Sequence, residues 1–82
     1  MIKTNDIKKG QRIQQRNGWY GTMFDSKKGN IRTVEVEGDF KEIGSVYAHE
    51  IVRAQDDQGV WHTVEHTQAQ LKLKSKLRAM GW

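Results

Sequence analysis

The chain has 82 residues, with no cysteine, no proline and a formal charge of +4. A chain of this length makes one domain, residues 1–82, and buries only about 60% of the surface its unfolded form exposes, so its core is small. Without cysteine there are no disulfides and no thiolate metal sites, and no apolar run approaches the roughly 20 residues that cross a bilayer, which points to a cytoplasmic protein with no membrane contact.

The opening "MIKTNDIKKG" has no apolar centre of the kind a signal peptide needs. In "GQRIQQRNG" Ile13 lies between Arg12 and Gln14, the pattern of a short, half-exposed strand. "WYGTMF" alternates Trp19, Gly21 and Met23 with Tyr20, Thr22 and Phe24, and a mid-strand glycine marks a sharp bend or a close backbone approach. A sheet of few strands rolls up only if its strands bend hard, so Trp19 and Met23 are expected to fill a small interior on either side of Gly21.

"DSKKGN" reads as a turn around Gly29 and Asn30. "IRTVEVEG" carries the clearest period of two, with Val34 and Val36 inward and Glu35 and Glu37 outward. "KEIGSVYAHEIVRA" supplies a strand around 44–46, a tight connection near Ala48–Glu50 and a strand over 51–54. "QDDQG" is a turn, and "VWHTVEH" is the return arm of a hairpin. The β portion thus covers 7–64. A helix follows over 67–80, with Thr67 and Gln70 as a capping box, Gly81 as its stop, and Ala69, Leu73, Leu77 and Met80 as the stripe docked on the sheet.

Charge is unevenly distributed. Residues 1–34 carry eight Lys and Arg against two acids, residues 35–66 two against eight, and residues 67–82 four against none. Arg12, Gln14 and Arg16 are expected on the outward face of the first strand, Lys27 and Lys28 at the next turn, and Arg32 beside them, a basic patch suited to phosphate. Two arrangements of Tyr20 and Phe24 are open. Outward, they interleave with the cations, and rings then stack on unpaired bases while cations meet phosphates. The helix stripe must also pack somewhere, and lying over Tyr20 and Phe24 would satisfy it. Trp61 and Trp82 are likewise open between packing and exposure.

The run "KKGQRIQQRNGWYGTMF … VEVEG" resembles the KOW motif and the wider group of SH3-like barrels over residues 8–54. Gly10 precedes the first strand, Gly18, Gly21 and Met23 form the G-x-x-G-x-apolar step, and Val34 and Val36 supply the valine-rich strand. The resemblance implies a mainly β, SH3-like barrel of about five to six short antiparallel strands with the C-terminal helix packed on it. "RNGW", "EIGSVYAHEIV" and "HTQAQLKLK" resemble small proteins encoded by bacteriophages, which implies action in a bacterial cytoplasm. Related barrels bind DNA, RNA, peptides or other proteins, so fold alone does not choose among them.

Catalysis is not expected. Ser26, Ser45 and Ser75 lack a glycine elbow, and no phosphate-cradling glycine loop occurs. His62 and His66 are four apart, with His49 as a conceivable third ligand, but their spacing spans a strand end and a helix start, so neither metal nor cofactor is expected. The expected function is non-catalytic binding of nucleic acid, DNA rather than RNA. Phosphate contacts are assigned to Arg12, Arg16, Lys27, Lys28, Arg32, Lys72, Lys76 and Arg78, and stacking to Tyr20. Attachment to a host protein is the alternative, and the expected state is a monomer or a weak homodimer formed through a strand edge.

Overall fold

Period-two alternation decides which side chains meet. In Arg12–Gln15 (β2) Ile13 and Gln15 turn inward, and in Tyr20–Asp25 (β3) Gly21 and Met23 do so. Ile31–Glu37 (β4) contributes Arg32 and Val34, and Ile51–Gln55 (β6) contributes Ile51 and Ala54. The computed structural model describes residues 1–25, 31–37 and 41–81. The remaining elements are Ile2–Lys3 (β1), Lys41–Tyr47 (β5), Trp61–Glu65 (β7) and the helix Gln68–Ala79 (α1), with single 3-10 turns at Thr4–Asp6 and Ala48–Glu50. The expected turn at Lys27, Lys28, Gly29 and Asn30, and Trp82, lie outside the described residues.

The strands form one sheet in the order β1-β7-β6-β2-β3-β4-β5. Strands β2 to β5 are an antiparallel meander, β6 returns to pair with β2 on the side away from β3, and β7 closes a hairpin on β6. The described residues thus hold seven strands, not five or six. One unforeseen strand is β1, which runs parallel to β7 with Ile2 opposite Val64 and Lys3 opposite Glu65. Thr4 fastens it, its hydroxyl donating to the Glu65 carbonyl at 3.0 Å.

The core is small, as the chain length requires: Ile7, Ile13, Met23, Val34, Ile51, Ala54 and Val64, with Ile2, Val36 and Val46 packed at its margin. Trp19, expected inside, is instead 56% exposed. It precedes β3 and belongs to the Asn17-Gly18 turn, where its N–H donates to the Asn17 side chain at 3.0 Å and its carbonyl accepts from Gln15 at 2.8 Å. Strand alternation does not extend into a turn, so its parity with Met23 carried no information about burial.

The helix opens with the expected capping box. The Gln70 N–H donates to the Thr67 hydroxyl at 3.2 Å, and the Thr67 N–H donates to the Gln70 side chain at 2.9 Å. It closes on Gly81 at φ +88°, a conformation costly for other residues. The docked face differs from expectation. Gln70 is buried and Leu73, Lys74 and Leu77 are partly covered, whereas Ala69 is exposed and Met80 is 65% exposed. The helix packs against the 3-10 turn Ala48–Glu50, and this short contact leaves room for only two of the four stripe residues.

Gly21 does make the close backbone approach its position suggested. A Cβ there would sit 2.8 Å from the Glu35 carbonyl oxygen on β4, inside any real carbon contact. Gly21→Ala is expected to destabilise the domain by about 1–3 kcal/mol through forced separation of β3 and β4. Urea unfolding of the variant beside the unsubstituted chain measures this, and an unchanged midpoint would contradict it.

Candidate nucleic-acid interface

The outward residues of β2, β3, β6 and β7 follow from the register. Arg12 stands opposite Thr22, Gln14 opposite both Tyr20 and Arg53, Arg53 opposite Thr63, and Gln55 opposite Trp61. Directly opposed residues share a face, so Arg12, Tyr20, Arg53 and Trp61 lie on one surface. The helix does not cover Tyr20 and Phe24, and each is 42% exposed. Tyr20 leans on Trp61 with ring centroids 5.5 Å apart at 57°. Arg53 lies over the Trp61 ring at 5.7 Å, and the Lys9 ammonium over Phe24 at 5.2 Å. Rings and cations therefore alternate across the sheet.

Lys9, Arg53 and Trp61 were not singled out in the sequence as members of this surface. The signal was present for two of them: Arg53 precedes the buried Ala54, and Trp61 has the opposite parity to the buried Val64.

The expected phosphate-binding residues do not form one patch. Arg12 is half exposed and held by both carboxylate oxygens of Glu37. That pairing raises its already high pKa. Arg16 grips Glu50 with two bonds, Nε to Oε2 at 2.9 Å and a second guanidinium nitrogen to Oε1 at 3.0 Å. The pairing of β2 with β6 shifts register between Gln14 and Gln15, so Arg16 departs from the outward face of Arg12 and Gln14 and meets the 3-10 turn. Its N–H also donates to the Glu50 carbonyl at 2.8 Å.

Arg32 is a correction: it is 2% exposed, with its guanidinium donating to the Asn5 side chain at 2.8 Å. It shares parity with Val34, so the alternation that turned Val34 inward turned Arg32 inward too. On the helix, Lys72 and Lys76 face away from Gln70 and Leu77, whereas Lys74 and Arg78 turn toward the 3-10 turn and line a pocket with Arg16. Lys27 and Lys28 lie outside the described residues.

Two of the three histidines have structural tasks. His62 Nε2 is 2.7 Å from Asp56 Oδ2, while Asp56 Oδ1 accepts from the N–H groups of Gln58 and Val60 in the β6–β7 turn. The His62 contact, then the Val60 N–H, hold the Asp56 carboxyl below its ordinary range. His66 Nε2 lies 2.8 Å from the Ile51 carbonyl, tying the approach to α1 onto β6. His49 differs. It is 4% exposed and stacked on Tyr47 at 5.3 Å and 9°, and its Nδ1 has no hydrogen-bond partner. No group of three His, Asp or Glu side chains among the described residues is placed to hold a metal. No helix among them is long and apolar enough to cross a membrane.

No family model, curated protein or solved structure matches this chain. Its functional reading therefore rests on the geometry above.

Burial pushes the His49 imidazole below its ordinary pKa, with Lys74, His66 and Arg16 adding to the shift and Glu50 opposing it. The unfolded chain thus binds a proton that the folded chain resists. This contribution to stability is complete above the unfolded value of about 6.5 and is lost as pH falls toward the folded value. In urea unfolding at about pH 7 and about pH 5, His49→Phe is expected to lose less stability on acidification than the unsubstituted chain. Equal losses would remove His49 as a source of the pH dependence.

Proposed function

We propose that this protein is a small non-catalytic nucleic-acid-binding module of SH3-like barrel type, which holds single-stranded DNA across the outer face of β2, β3, β6 and β7. The observation that carries this reading is the exposure of Tyr20 and Phe24 on a sheet surface shared with Trp61, Lys9, Arg12 and Arg53. Bases offer their flat faces to aromatic rings only when unpaired, and the intervening cations meet the phosphates between them. A duplex keeps its bases stacked on one another, so this surface suits a single strand better. Exposed Lys72 and Lys76 on α1 add a diffuse positive field that speeds encounter.

The barrel reading is supported by connectivity. A four-strand meander leads through a tight 3-10 turn into a strand that pairs back with the meander's first strand, as curling a short sheet requires. The likeness to phage-encoded proteins gives a bacterial cytoplasm as the setting.

Binding of an oligothymidine is expected at micromolar concentration and is expected to weaken as salt rises, because neutralised phosphates release counterions. Tyr20→Ala is expected to weaken it by roughly tenfold, the low end of a base–aromatic stack, with circular dichroism unchanged. Fluorescence anisotropy on DNA and on RNA of matched sequence measures both effects. No binding at micromolar concentration, or a flat salt response, would count decisively against the module.

A protein partner is the second reading, favoured by Ile31 and Ile43, which are 56% and 57% exposed on β4 and β5. A specific protein retained from nuclease-treated bacterial lysate, and lost with Ile43→Lys, would replace the first reading with this one.

A further inference from the structure

Where α1 docks on the 3-10 turn, a pocket of about 100 Å³ opens. A water's share of liquid is about 30 Å³, so a tetrahedral oxyanion has room there. Arg16, Glu50, His49, Lys74 and Arg78 all line it. Arg16 and Glu50 cancel through their two-bond pairing, which also fixes both on the wall. Lys74 and Arg78 make no ion pair among the described residues, so the pocket keeps two uncompensated positive charges.

The same wall holds His49, whose Nδ1 has no partner and whose Nε2 is 3.7 Å from Glu50, too long for a hydrogen bond. A buried polar atom without a partner is costly, so this part of the wall is not optimised for stability alone. A neutral imidazole carries its proton on either nitrogen, so Nδ1–H can donate. Beside this pocket lies a larger cleft of about 570 Å³, lined by Ile31, Val46 and Tyr47, and the two share Arg16, Tyr47 and Glu50.

We infer that the His49–Lys74–Arg78 pocket binds the phosphate of an organic phosphate monoester, whose apolar portion rests in the adjoining cleft against Ile31, Val46 and Tyr47. A phosphate monoester carries close to two negative charges at neutral pH, matching Lys74 and Arg78, and its oxygens accept from both cations beside the His49 ring. The cleft wall gives an ester an advantage over inorganic phosphate. No residue of either cavity belongs to the ring-and-cation surface of Lys9, Arg12, Tyr20, Phe24, Arg53 and Trp61, so the two sites are tested separately.

Phenyl phosphate titrated into the intact 15N-labelled protein is expected to shift the His49 imidazole signals saturably, and to bind more tightly than inorganic phosphate. Lys74→Ala and Arg78→Ala are each expected to weaken it by about tenfold or more, as loss of a charge-assisted contact does. Lys3→Ala, which removes the same charge from β1, is expected to leave it unchanged. A 5′-phosphorylated trinucleotide that competes with phenyl phosphate, where its 5′-hydroxyl counterpart does not, would assign the phosphate to a strand end. Competition by neither trinucleotide, with phenyl phosphate still bound, would assign it to a small ester. Both results support the pocket. Silent His49 signals, equal weakening by Lys3→Ala, or no preference for the ester over inorganic phosphate would overturn the inference. The His49 signals need no substituted chain, so a variant that fails to fold does not blunt the test.

Discussion

The pairing of β6 with β2 is the constraint on which the rest of the molecule depends. It joins residues about forty positions apart, Ile13 with Ala54 and Gln15 with Ile51, and so bears the loop-closure cost that the meander of β2 to β5 avoids. Ile13, Ile51 and Ala54 are each fully buried, and their apolar contact offsets that cost. The register shift within the pairing turns Arg16 toward Glu50 and brings the 3-10 turn to the end of β2. The helix then docks on that turn. Both candidate surfaces are therefore products of one long-range contact: the outer face because β6 and β7 extend the sheet beside Tyr20, and the pocket because the turn and α1 meet beside Arg16.

Much of this was legible in the residues. The strands from "RIQQ" to "WHTVE", the tight connection at Ala48–Glu50, the capping box at Thr67 and the role of Gly21 all follow from local rules that a single segment obeys by itself. Errors fell where a second segment decides. Trp19 matched the parity of Met23 but belongs to a turn. The stripe of Ala69, Leu73, Leu77 and Met80 was a fair amphipathic face, yet the small docking partner keeps only Leu73 and Leu77 of it and adds Gln70. Strand β1 is two residues long and parallel to a strand sixty positions away, so no periodicity could announce it. Arg32 is the instructive miss, since the alternation that placed Val34 inward applied equally to it, although arginines are mostly exposed.

The charge layout has a similar explanation. The basic first third and the acidic middle third are opposite in charge, and antiparallel strands bring them together. Arg12 meets Glu37 and Arg16 meets Glu50, each a pair between the two blocks. Exposed pairs of this kind add little stability, about 0–1 kcal/mol each. Their larger effect is to remove field from the surface, while the helix cations, which make no ion pair among the described residues, keep theirs. What a binding partner senses is thus not the composition of any segment but the remainder after neighbouring strands have cancelled.

The two flanks of the sheet are unequal. At one flank β1 offers two residues of backbone, while at the other β5 offers seven and is joined among the described residues to β4 alone. Chain-to-chain growth by strand addition needs a long flank at both ends of each molecule. Here two copies meeting β5 to β5 would consume the long flank of each and leave only short ones outward. Self-association by that route would terminate as a twofold pair and would not extend into a fibre.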